Sequence, residues 1–150
     1  MRFDRPNFVI SEAGNSLVET GLFLPLLLLL LMGVADFGRA YYLAIEVAGA
    51  AHAGAVYGAQ NITDTTGMQN AAKLNAPDVS GLVATGTWGC ECSDGTASSA
   101  SCTITPTCSV NVVYYAKVIT TVTYHPIMPW KGINSSMILT GSTAMRSASE

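Results

Sequence analysis

Gly14-Asn15-Ser16-Leu17-Val18-Glu19-Thr20-Gly21-Leu22-Phe23-Leu24-Pro25, running into the leucines Leu26–Leu31 and on without a charge to Ala35, decides how this chain is read. Asn15 to Ala35 is 21 residues. At ~1.5 Å rise per residue, a helix of that length crosses the ~30 Å hydrocarbon core of a bilayer. The segment holds one acid, Glu19, at its leading edge and one proline, Pro25, at the head of the leucine run. Ahead of it, residues 1–14 read as a short polar leader carrying Arg2 and Arg5. Two arginines on that side favour retention of the leader in the cytoplasm and export of everything after Ala35.

Three readings fit residues 15–39. One is a single-pass anchor. Another is a cleaved secretory signal, with Gly33-Val34-Ala35 as small residues before the cut. Glu19 beside the apolar core and the long lead-in count against it. The third is a prepilin, in which cleavage after Gly14 makes Glu19 the fifth residue of the mature chain. An ionised carboxylate at membrane depth costs roughly 2.5–3.5 kcal/mol on insertion scales, so it calls for a partner. The new amino terminus on Asn15 is a cation at that depth, and stacked subunits can pair the carboxylate of one with the amine of the next. A Glu19 that snorkels to the cytoplasmic headgroups needs no such pair. Pro25 removes a backbone donor and clashes with the carbonyl of Gly21, which predicts a kink or a melted turn between them.

Past Arg39 the helix is expected to continue to residue 60. Ala40, Ala44, Ala48, Ala51, Ala55 and Ala59 recur at spacings of three and four, one stripe of a helix. Gly54 and Gly58 lie beside it, so a second helix or a sheet can approach closely. Asn61-Ile62-Thr63 breaks the pattern, and Asp64 or Thr65 can cap a short helix to Asn75, with Met68, Ala71, Ala72 and Leu74 as its apolar side. From Val79 the vocabulary is that of strands. Leu82–Trp88 is a weak strand, Ser93–Ser101 a turn-forming loop, Val110–Tyr124 the strongest strand, and Met137–Arg146 the last. In the strongest strand Val110, Val112, Tyr114, Ala116, Val118, Val122 and Tyr124 share the apolar face. Gly141 in the last strand is expected to mark a bulge or a close approach.

The totals fit one small exported domain behind the apolar segment. The chain has 150 residues, with 7 Lys+Arg against 10 Asp+Glu, so no basic patch exists to bind nucleic acid. Its four cysteines, Cys90, Cys92, Cys102 and Cys108, crowd into one Gly/Ser/Thr-rich stretch. Beyond a membrane segment that pattern reads as two disulfides in an oxidising compartment. A four-thiolate zinc site is disfavoured, because a C-x-C followed by these gaps is not a finger or ribbon spacing. Cys90–Cys92 would close a strained ring. A hairpin between the cysteine pairs favours the nested arrangement, Cys92–Cys102 inside Cys90–Cys108. His52 and His125 lie far apart in sequence, and no phosphate loop, paired carboxylates or nucleophile elbow is present, so no catalytic constellation and no cofactor or metal is expected.

The quoted stretch, with Leu24-Pro25-Leu26-Leu27 and then Gly38-Arg39-Ala40, resembles the N-terminal signature of TadE-like proteins, pilin-like components of tight-adherence pilus systems. Val118–Tyr124, the prolines Pro126 and Pro129, Ile138-Leu139-Thr140 and Ala144-Met145-Arg146 are also similar to that family. Cys90-Glu91-Cys92 with Cys102 and Cys108 resembles a cysteine-bearing subset. Thr20 departs from the pattern, since relatives usually carry an aromatic residue after the glutamate. The resemblance implies cleavage after Gly14 by a prepilin peptidase, contact with a pilus assembly platform, and assembly with other pilin-like subunits or copies of itself.

The expected fold is therefore α+β and pilin-like. Residues 1–14 form the leader, 15–60 a long helix with 15–35 in the membrane, and 61–150 a head of one short helix and a small antiparallel sheet with disulfides. The expected location is the bacterial inner membrane, with the N-terminus cytoplasmic and the C-terminus exported, and then an extracellular pilus. The competing expectation is a signal-cleaved or membrane-anchored binding domain that acts as a monomer.

Overall fold

The computed structural model describes residues 12–128, 131, 132 and 134–147; most of the leader, Pro129 and Trp130 lie outside the described residues. Helix α1 spans Glu12–Gln60. Its leucines and alanines are strong helix formers, and few β-branched residues interrupt them. Asn61 to Thr63 ends it in a turn. Helix α2 follows at Thr65–Asn75. The chain divides into two compact units, one ending at Phe37 and one beginning at Gly38.

Asp64 caps α2 as expected from its position. Its carboxylate accepts the Gly67 N–H at 2.8 Å and the Tyr57 hydroxyl at 2.8 Å. These two bonds, the Gly67 one foremost, hold the Asp64 carboxyl below the usual carboxylate range. A carboxyl depressed in the folded state contributes stability above its unfolded value of about 3.9, and that stability is lost as pH falls through the lower folded value. The melting midpoint of the detergent-solubilised protein is thus expected to fall between about pH 5 and about pH 2. Asp64→Asn should flatten that part of the curve, and an unchanged slope would remove the cap's role.

Four strands form one antiparallel sheet in the order β2-β1-β3-β4. They are β1 Val83–Cys92, β2 Ser98–Ala100, β3 Val112–Tyr124 and β4 Met137–Arg146. The last strand has the expected bounds. The first runs four residues further than the expected Leu82–Trp88, because the cysteine stretch continues its pairing with β3 as far as Cys92↔Val112. Part of the expected loop at 93–101 is strand β2, whose Ser-Ser-Ala sequence has no strand preference and is set by pairing with Gly89–Glu91. Gly141 pairs with Thr120 in unbroken register, so it is a close approach and not a bulge.

Ala116, Val118, Thr120, Val122 and Tyr124 of β3 point into the core. The strand starts at Val112, two residues later than expected, so Val110 lies outside it and is exposed; Tyr114 is exposed too, because the helices cover only the other end of the strand. The core joins these to Val47, Ala50 and Ala55 of α1 and Met68 and Ala72 of α2. Leu74, expected on the apolar side of α2, is instead 79% exposed. It lies two positions from Ala72, on a different side of the helix.

The alanine stripe of α1 is split by this packing. Ala51 and Ala55 are buried, Ala40 and Ala59 half-buried, and Ala44 and Ala48 exposed. At about 100° per residue the alanines spread over a wide arc. The sheet takes the edge of it centred on Val47, Gly54 and Gly58, and leaves Ala44 and Ala48 on the outer flank.

Thr120 is fully buried in this core, and its hydroxyl donates to the Val47 carbonyl of α1 at 2.7 Å. The isosteric Thr120→Val removes that bond. It is expected to cost about 1 kcal/mol, since the carbonyl retains its helical partner. Urea denaturation measures this, and no change would show that the bond contributes nothing.

Candidate functional site

Among the described residues, positions 16–32 of α1 are exposed throughout. Leu26 to Leu31 are each between 52% and 63% exposed. Six consecutive residues point in every direction around a helix, so this is an apolar cylinder and not an amphipathic face. The helix is long and apolar enough to cross a membrane. A surface of that kind is covered by lipid or by other apolar helices.

Gly14 and Asn15 lie in the first turns of α1. Glu19 is exposed on the cylinder one turn later. Thr20 turns its hydroxyl back to the Ser16 carbonyl at 2.9 Å. Its donor is thereby satisfied within the helix, which makes a hydroxyl tolerable at membrane depth. Pro25 sits inside α1, and the helix runs through it unbroken. The melted turn expected between Gly21 and Pro25 is not formed; the proline leaves the Gly21 carbonyl without its donor four residues on, but a single missing bond does not interrupt a helix held on both sides.

Where α1 enters the second unit, aromatic residues gather. Tyr41 is exposed, and Tyr42 donates its hydroxyl to Asp78 at 2.6 Å. The Arg39 guanidinium lies 5.8 Å from the centroid of the Tyr124 ring. Tyrosines and an arginine immediately after an apolar span suit the headgroup layer of a bilayer.

At the far end of the sheet the cysteines pair as Cys90–Cys102 and Cys92–Cys108, with Cα separations of 5.4 Å and 5.5 Å. The nested pairing expected from a direct hairpin is corrected. Strand β2 folds back on β1, so Ala100 faces Gly89 and Cys102 comes down beside Cys90. The chain then returns to start β3 opposite Cys92, which carries Cys108 to that residue. All four sulfurs are used in these bonds. Among the described residues no group of His, Cys, Asp and Glu is placed to hold a metal.

A long apolar N-terminal helix, a short second helix, an antiparallel sheet and two disulfides make an α+β layout of the pilin-like kind. Residues 14–56 match the model of the TadE-like protein family. Comparison with curated proteins gave no match, and comparison with solved structures gave none.

Proposed function

We propose that the chain is a non-enzymatic, pilin-like subunit of a tight-adherence-type pilus, a minor pilin or filament subunit involved in pilus assembly and surface adhesion. One observation carries this reading. The TadE-like match at residues 14–56 takes in Gly14, Glu19 and Pro25 and runs on into the helix that covers the sheet. The leader stays in the cytoplasm and a prepilin peptidase cuts after Gly14. The apolar helix holds the subunit in the inner membrane with its head exported, until an assembly platform adds it to other pilin-like subunits or copies of itself. In the fibre, Glu19 of one subunit meets the Asn15 amine of its neighbour. The same packing covers the leucines and the outer alanines Ala44 and Ala48.

A signal-type cut at Ala35 fits less well, because it would sever α1 in mid-helix. The mature N-terminus, read by intact mass of the protein recovered from membranes, tests the proposal. A chain beginning at Asn15 supports it, and one beginning at Asp36 overturns it. Glu19→Gln should leave the subunit in the membrane but out of fibres. Normal assembly of that variant would remove the pairing.

A further inference from the structure

On the face of the sheet turned away from α1, the row Gly89–Tyr115–Arg146 runs across β1, β3 and β4. A Cβ on Gly89 would lie 2.6 Å from the Tyr115 Oη and 2.7 Å from its Cζ. The phenol end of Tyr115 therefore rests on bare β1 backbone, with the ring laid along the sheet. Tyr115 is half-buried and lines a cleft of about 360 Å³ together with Glu91, Ser98, Lys117, Ala144 and Arg146. That volume falls in the ~300–1,000 Å³ range of small-molecule sites.

The charges in the cleft do not cancel. Arg146 Nε donates to Glu91 Oε1 at 2.9 Å and its Nη2 donates to the Ser93 carbonyl at 3.2 Å, so these two side chains neutralise each other. Lys117, two residues from Tyr115 on the same face, is exposed and has no ion-pair partner among the described residues. Its row neighbours are Thr87 and Ala144, neither of which can take its charge. The cleft is thus positive by one in a chain whose net charge is −3.

An aromatic ring laid flat, walled by hydroxyl, carboxylate and guanidinium groups, complements a ring with one C–H face and a rim of hydroxyls. That is the shape of a pyranose. The lone ammonium selects one that bears a carboxylate. We infer that this cleft is a saccharide site for uronic acids, with one sugar ring stacked on Tyr115 and its carboxylate directed to Lys117. Glu91, Ser98 and Arg146 stand within the same cleft for its hydroxyls. The site belongs to the head alone and is independent of how the N-terminus is processed.

The test uses the full chain in detergent and isothermal titration with trisaccharides of galacturonic, mannuronic and glucuronic acid, each beside its neutral methyl ester. At least one acid is expected to bind, its ester roughly tenfold more weakly, and salt should narrow that gap. Tyr115→Ala should lose roughly tenfold or more, while Tyr115→Phe, which keeps the ring on Gly89, binds as the native chain does. Lys117→Gln should bind acid and ester alike. Absence of binding by the native chain to every acid would overturn the inference. So would undiminished binding by Tyr115→Ala, or an acid preference that survives Lys117→Gln. Melting midpoints of the variants separate loss of the site from loss of the fold.

Discussion

Replacing Cys92 and Cys108 by serine is expected to destabilise the head by about 3 kcal/mol, and opening Cys90–Cys102 by a similar amount. The bridges close loops with sequence separations of 16 and 12, for which lost chain entropy in the unfolded state gives that magnitude. The segment between β1 and β3 has little else to hold it, since its only strand is the three-residue β2. Cys90 and Cys92 are themselves buried, so a serine there also places a hydroxyl in an apolar site. Denaturation midpoints with and without reductant measure the loss. Glutamyl cleavage after Glu91 separates the first two cysteines, and fragmentation of the linked peptides then reads the pairing. A Cys92–Cys102 link would overturn the arrangement.

Gly141→Val is expected to cost about 3 kcal/mol, at the upper end for an overpacked core. A Cβ at this position would lie 2.6 Å from the Val47 carbonyl oxygen, 2.8 Å from Thr120 Oγ1 and 2.9 Å from Ala48 Cα. Two of the three obstacles are helix backbone, which cannot rotate aside as a side-chain end can. Strand and helix would have to separate, breaking the Thr120–Val47 bond on the way. Gly58→Ala is a milder version of the same fault, because its Cβ would meet Ala116 and the movable end of Met68. Gly141→Val should make the head, residues 61–150, sensitive to protease in the detergent-solubilised protein. A head as resistant as the native one would contradict the close packing.

The elements with a clear period were legible from residue order alone. The leucine run, the Asp64 cap and the bounds of β4 depend on local pattern, and the structure has them where the pattern puts them. What depends on register was not legible. The cysteine pairing follows from β2 folding back on β1, and Ser98-Ser99-Ala100 gives no local sign of a strand. Alanines alone could not say which edge of their arc meets the sheet, since that is set by the partner surface. Thr120 could have been found: it sits between Val118 and Val122 in a strict alternation, where a hydroxyl requires a buried acceptor. Tyr115 on Gly89 could not, because neither residue is unusual until β1 and β3 are aligned.

Pro25 has a mechanical meaning as well. Helix α1 is a single ladder from Glu12 to Gln60, so tension along its apolar half is carried in series through every rung. At Pro25 one rung is missing, and elongation under load is expected to begin there, between Gly21 and Pro25. At the other end the same load arrives as shear against the sheet, where Thr120 pins Val47 and the glycine contacts allow no slack. A chain built this way yields first in its stem and keeps its head folded while it does so.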